Sequence, residues 1–332
     1  MSLSRPRNLR FSSSLMEKSV LAAVATALIV LALSVQPVGA QAVLPSDLGW
    51  AAELAGFFTS YRITPNVTYL TANNFSAKLD VYEPLNSSGP TPTLLYIHGG
   101  GWTGGSKEGS SLTFLPYLQM RWSVVNIEYR LGGVSLAPAA VEDCICALRW
   151  VYRNAKQYNL DTNRIVVSGE SSGGHLALMT GMTPASAGLD RQCPGPESLK
   201  VAAIINWYGP SNVVDLLDGP NTRTYAVSWL GSQPNREEIA RRVSPLTYVR
   251  PGLPPILTVH GDADPVVPYS QSVRLREALT KVGVPNELVT VPGGRHEAPK
   301  GFTPEEMRTV YVSILEFLGK HGLARPAGTA RR

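Results

Sequence analysis

Polar and apolar residues alternate over residues 66–70 and again over 78–82, with the turn-prone pair Asn73-Asn74 between them. That period of two predicts an antiparallel hairpin with one face buried. From position 93 the pattern changes. Residues 93–97, 123–127, 164–168, 201–205, 256–259 and 287–291 form short, β-branched-rich apolar runs, as strands covered on both faces do. Between and after them, residues 137–158, 270–281 and 303–318 carry apolar positions at helical spacing, and residues 175–179 can continue as a helix. Strand and helix in alternation predict an α/β fold: a mostly parallel sheet of about eight strands with helices on both faces. The interval 210–253 is too long for a plain crossover, so we expect a small helical insertion there, over the carboxyl ends of the strands where open sheets bind ligands. Residues 67–323 form the expected folded body. Residues 41–66 read as a lead with one helical patch near Trp50, and 324–332 as a basic tail.

The amino-terminal forty residues belong to a different pattern. Arg5, Arg7, Arg10 and Lys18 precede an apolar run from Val20 to Val35, and Val38-Gly39-Ala40 then offers small residues for cleavage. This is the layout of a secretory signal peptide cut after Ala40, which predicts a secreted or periplasmic protein without a stable membrane span. Met16 is an alternative start that would give a more compact signal. The formal charge of +5 drops to about +2 without those residues, and the body carries no basic stripe, so nucleic acid is not an expected partner. Three cysteines are too few for a disulfide framework. On the expected helix Cys144 shares a face with Val141, Leu148 and Val151, whereas Cys146 points the opposite way, and whether it bridges to Cys193 stays open. Cys-x-Cys without a second pair makes no zinc site.

The chemistry gathers at Gly169-Glu170-Ser171-Ser172-Gly173-Gly174, which joins the strand at 164–168 to a helix. A turn that sharp brings its two arms so close that only glycine fits at 169 and 173, and it lifts the Ser171 hydroxyl above the sheet edge. The pattern G-x-S-x-G recurs by chance in chains of this length, so its partners decide. His98-Gly99-Gly100-Gly101-Trp102 follows the strand at 93–97, and glycines there free backbone N–H groups to converge on one oxygen. Gly100, Gly101 and Ser172 are the candidate oxyanion donors. A serine needs a base. Of the five histidines, His98 belongs to the glycine loop, His175 to the helix after Ser171, His260 to a strand end and His321 to the tail region, which leaves His296 in the turn after the last strand. Asp264 and Asp262 both follow the strand at 256–259; Asp264 lies deeper in its loop, while Asp262 is better placed to cap a turn. Trp102, Trp207 and Tyr208 sit at strand ends as candidate walls for an acyl or sugar group, with packing as the alternative.

Together these motifs resemble those of the α/β-hydrolases of the esterase and lipase group, and the likeness covers roughly residues 67–323. The continuation Trp102-Thr103-Gly104-Gly105-Ser106-Lys107 and the segment Glu128-Tyr129-Arg130 are similar to secreted bacterial acetyl and feruloyl esterases. The resemblance also favours Asp264 over Asp262. It implies a Ser171, His296, Asp264 triad that needs neither metal nor organic cofactor, and a small-molecule or polysaccharide-linked ester as substrate. A near-neutral body and a modest insertion favour short acyl groups over long-chain lipids. Two alternatives are a peptidase of the prolyl-oligopeptidase type, for whose propeller domain the chain has no room, and a catalytically silent binding protein of the same fold.

Overall fold

The computed structural model describes Gly56, residues 59–296 and residues 301–324. The expected signal segment, the helical patch near Trp50 and nearly all of the basic tail lie outside the described residues. Eight strands form one sheet in the order β1-β2-β4-β3-β5-β6-β7-β8. They are β1 (Tyr61–Ala72), β2 (Phe75–Pro84), β3 (Thr91–Ile97), β4 (Ser123–Ile127), β5 (Leu160–Glu170), β6 (Ala203–Trp207), β7 (Ile256–Gly261) and β8 (Asn286–Val291). The β1–β2 hairpin turns at Asn73-Asn74 as expected, and β2 also runs antiparallel to β4; every other pairing is parallel. The sheet begins at Tyr61, six residues before the boundary drawn from alternation, because β1 is an edge strand whose first part is mostly solvated and interrupted by register shifts at Thr64/Val67 and Thr68/Leu70. Asn66, Asn74 and Asn86 each open an Asn-x-Ser/Thr triplet, and all three are exposed with φ near +60°. Asparagine tolerates that left-handed conformation in turns, which accounts for these residues without invoking glycosylation.

Seven helices accompany the sheet among the described residues: α1 (Leu115–Gln119), α2 (Ala139–Asn154), α3 (Ser172–Met182), α4 (Thr224–Leu230), α5 (Arg236–Arg242), α6 (Ser270–Lys281) and α7 (Pro304–Lys320). The apolar runs divide residue by residue between the two sheet faces, as the alternation of side chains along a strand requires. Leu95, Ile97, Val125, Val167 and Ile204 pack with Val141, Leu148, Leu176 and Met179 of α2 and α3. Leu94, Tyr96, Val124, Val166 and Ile205 pack with Leu118 of α1 and with Ile314 and Phe317 of α7. Burying each large side chain contributes roughly 1.5–3 kcal/mol, so neither face could be left open. Helix α7 starts at a capping box in which the Thr303 hydroxyl accepts from Glu306 N–H and the Glu306 carboxylate accepts from Thr303 N–H.

On α2, Cys144 is buried and free in the core while Cys146, on the other side, is disulfide-bonded to Cys193. The bridge packs beside Leu70, Ala72 and Ala77 of the hairpin. The insertion predicted at 210–253 consists of α4, α5 and short 3-10 turns. Among the described residues no helix is long and apolar enough to cross a membrane.

Candidate active site

Strand order builds the site. After β3 the chain passes to β4 on one side and then returns to β5 on the other. The crevice at such a reversal lies at the carboxyl ends of the two central strands. Ile97 of β3 pairs with Gly169 of β5, so the His98–Gly101 loop and Ser171 emerge side by side. Ser171 itself has φ 55° and ψ −121°, a conformation that costs a non-glycine residue on the order of 1–3 kcal/mol. Glycine makes the turn possible on either side. A Cβ at Gly169 would stand 2.5 Å from the Gly173 carbonyl oxygen, and one at Gly173 would stand 2.1 Å from the Ile97 oxygen.

His296 and Asp264 come from the far side of the sheet. Gly261 at the end of β7 pairs with Val291 at the end of β8, which brings the two following loops together. With strands about 4.8 Å apart, the loop after β8 must cross roughly 14 Å, over β7 and β6, to meet Ser171. It does so. His296 Nε2 lies 3.0 Å from Ser171 Oγ, and His296 Nδ1 lies 2.6 Å from Asp264 Oδ2. The Asp264 side chain is fully enclosed, and its Oδ1 accepts from the N–H groups of Val266 and Val267. Burial pushes its carboxyl upward, but hydrogen bonds from His260 and His296 outweigh that and hold it well below the usual carboxylate range. Asp262 faces elsewhere and accepts from Gly293 N–H, a turn cap as expected.

In the glycine loop, Gly100 and Gly101 have φ of 118° and 61°. The loop folds on itself through Thr103 N–H and Gly104 N–H, both donating to Gly100 O, and no hydrogen bond among the described residues occupies the N–H groups of Gly100 or Gly101. Ser172 opens α3, so its N–H has no partner within the helix. Among the described residues, nothing takes these three donors from a ligand oxygen. Gly101 lies against Tyr225 of α4, so the insertion backs the loop.

A charged network that the sequence pattern did not reveal supports this loop. His98 Nδ1 is 2.7 Å from Gly99 O, its ring stacks on Tyr129 at 4.3 Å, and its Nε2 is 3.3 Å from Glu128 Oε1, out of line for a hydrogen bond. Lys107 N–H donates to Glu128, and buried Lys107 Nζ donates to Asp80 at 2.8 Å. Arg130 and Asp143, both buried, form a two-pronged ion pair that fixes the chain as it leaves β4 for α2. Thus Lys107 and the Glu128-Tyr129-Arg130 segment hold the glycine loop in place.

Of the three aromatic candidates, Trp102 takes the packing alternative and is no substrate wall. It has no exposed surface, stacks on Trp229 at 4.3 Å and donates from Nε1 to His175 Nδ1 at 3.1 Å. It is a packing residue that ties α3 to α4 under the glycine loop. His175 donates in turn to Val243 O, and burial lowers its pKa to about 4. Trp207 and Tyr208 are buried too, at 7% and 1% exposure, but they reach the wall of a cleft. With Leu112, Phe302, Met307 and Tyr311 they line a largely apolar cleft of about 500 Å³ whose wall includes Glu170. Tyr208 also lies 4.7 Å from the His296 ring, and its hydroxyl is 3.5 Å from Glu170 Oε2. Burial raises the Glu170 carboxyl above its usual value, and hydrogen bonding from Ser110 only partly offsets this.

Such a constellation can polarise a serine hydroxyl, hold the accepting imidazole in one tautomer and receive an oxyanion on backbone donors. Comparison with known proteins agrees with the geometry. The profile of the BD-FAE family matches residues 79–279. The chain is similar to Esterase LipQ of Mycobacterium tuberculosis, 28% identical over 69% of this chain and 55% of LipQ. It spans about half the length of the first curated relatives it matches. Among solved structures it is similar to a truncated carbohydrate esterase from gut microbiota, with TM-score 0.66 and 27% identity over 79% of this chain and 97% of that one. It is also similar to esterase Est2 of the Planctomycetes species Thermogutta terrifontis, with TM-score 0.65 and 26% identity over 81% and 95% of the two chains.

Proposed function

The chain belongs to the BD-FAE family, and from that premise we propose that it is a serine hydrolase of carboxylic esters, with Ser171 as nucleophile, His296 as general base and Asp264 as its orienting acid. The observation that carries this reading is the unbroken line from Ser171 Oγ through His296 to Asp264 Oδ2. In the first step His296 Nε2 takes the Ser171 proton as Oγ attacks the ester carbonyl. The oxyanion rests on the N–H groups of Gly100, Gly101 and Ser172, and the imidazolium returns its proton to the leaving alcohol. Water then repeats the sequence on the acyl-enzyme and frees the acid.

The substrate we propose is a short acyl or feruloyl ester on a carbohydrate. Support comes from the carbohydrate esterase among its structural relatives, from the modest insertion, and from a cleft with aromatic walls beside the nucleophile turn. We further propose a secreted or periplasmic enzyme cleaved after Ala40; the charge and apolar pattern of residues 1–40 and the Cys146–Cys193 bridge support an oxidising compartment. The test of the substrate reading is a set of initial rates on p-nitrophenyl acetate, butyrate and octanoate, methyl ferulate, acetylated xylan and a prolyl anilide. The reading expects acetate or ferulate to lead and the anilide to be inert. Leading rates on octanoate or the anilide would overturn it, and the amino-terminal sequence of the protein exported by its native host tests the cleavage site.

A further inference from the structure

His260 closes β7 and has no exposed surface. Its Nδ1 lies 2.7 Å from Ser272 Oγ in α6. Its Nε2 lies 3.2 Å from Asp264 Oδ2 and 3.1 Å from Val267 O. The rings of Tyr269 and Tyr208 stand against it at 5.5 and 6.2 Å. These partners dictate where its proton sits. A carboxylate oxygen and a carbonyl oxygen can only accept, so Nε2 carries the hydrogen. The other ring nitrogen, Nδ1, meets the Ser272 hydroxyl, which fixes the plane of the ring. Asp264 consequently accepts from four groups: Val266 and Val267 N–H on Oδ1, and His296 and His260 on Oδ2.

We propose that His260 is a positioning residue for ester hydrolysis, its Nε2–H fixing the Asp264 carboxylate so that Oδ2 stays aimed at His296 Nδ1. The inference rests on the triad reading above. The terminal torsion of an aspartate is broad, and two backbone donors on Oδ1 restrain the carboxylate at one oxygen only. A second imidazole on Oδ2 restrains the other and resists rotation of the carboxylate. Its bond is longer than that of His296, 3.2 against 2.6 Å, and is shared with Val267 O, so it orients the carboxylate without displacing the stronger donor. Ser272 completes the chain of bonds by holding the His260 ring in place. The relay therefore runs from Ser272 through His260, Asp264 and His296 to Ser171.

A structural staple between β7 and α6 would explain burial but not the dependence on a donor at one atom, and two amide variants separate these. Glutamine places an N–H near the position of Nε2, whereas asparagine reaches only the neighbourhood of Nδ1. We expect His260→Gln to retain kcat within about tenfold and His260→Asn to lose about a hundredfold, with KM little changed in either, the scale seen when groups that orient catalytic side chains are removed. Equal losses in the two variants, or a loss confined to KM, would overturn the proposal. Nitrogen-15 NMR of the unsubstituted protein gives a second test that needs no variant to fold. It should show a proton on His260 Nε2, and a ring without one there would contradict the inference. Ser171→Ala distinguishes the two levels of failure. If it stays active, the triad reading falls; if it is inactive while His260→Asn matches the unsubstituted enzyme, only the role of His260 falls.

Discussion

His296 Nε2 stands 3.0 Å from Ser171 Oγ although 125 residues separate them in the chain. The contact exists because the loop after the edge strand β8 returns over two strands, and Asp264 in the neighbouring loop meets it there. Removing the Asp264 charge leaves His296 Nδ1 without its acceptor and frees the ring to adopt the wrong tautomer. Asp264→Asn should therefore lower kcat by about four orders of magnitude. Asp262→Asn, which touches only the Gly293 N–H, should stay within about tenfold. Steady-state kinetics of the two variants check this, and equal losses would remove Asp264 from its proposed role.

Asp264 also ties stability to pH. Its folded-state pKa is held below the ordinary carboxylate value despite burial. The stabilisation is therefore complete above the unfolded value of about 3.9 and is lost as pH falls through the depressed folded one. Melting temperatures of the unsubstituted protein and Asp264→Asn should converge as pH drops below about 4. A gap that stays constant with pH would contradict this assignment.

Glu170 has the opposite sign. Burial raises its folded-state pKa, so its charged form costs stability, and the cost appears as pH rises from the unfolded value of about 4.3 through the folded one. Glu170→Gln should melt above the unsubstituted protein at pH 8 and lose that advantage near pH 4. Thermal scans at the two pH values decide it; a variant less stable at pH 8 would mean that the carboxylate is held by more than its long contacts to Ser110 and Tyr208.

Lys107 neutralises Asp80 beneath the glycine loop, and both are buried. Lys107→Met leaves a buried carboxylate uncompensated and should cost about 3–5 kcal/mol. Asp80→Asn in the same chain should recover much of that loss. Denaturant unfolding of the single and double variants measures the coupling, and additive losses would show that the pair does not act as a unit.

What the sequence pattern revealed follows from what constrains it. The turn at Ser171 and the loop at Gly100 and Gly101 were legible because close backbone approach or positive φ excludes other residues there. The central strands were legible because two covered faces demand unbroken apolar runs. Helix α1 was missed, since five residues, Leu115–Gln119, are too few to display a helical period. Trp102 stays open between substrate wall and packing in the sequence because an aromatic residue after a glycine loop looks the same whether it faces substrate or, as here, Trp229. The link from Lys107 to Asp80 joins a loop to a strand 27 residues away, and nothing in local spacing marks it.

The central claim is that Ser171 is the nucleophile, and covalent labelling tests it most directly. A fluorophosphonate reacts with a serine activated by a neighbouring base and leaves a stable adduct. Peptide mapping by mass spectrometry after complete inactivation should find one adduct per chain, on Ser171, and Ser171→Ala should bear none and hydrolyse no p-nitrophenyl acetate above background. An adduct on a different serine with Ser171 unmodified, or esterase activity that survives Ser171→Ala, would contradict the account.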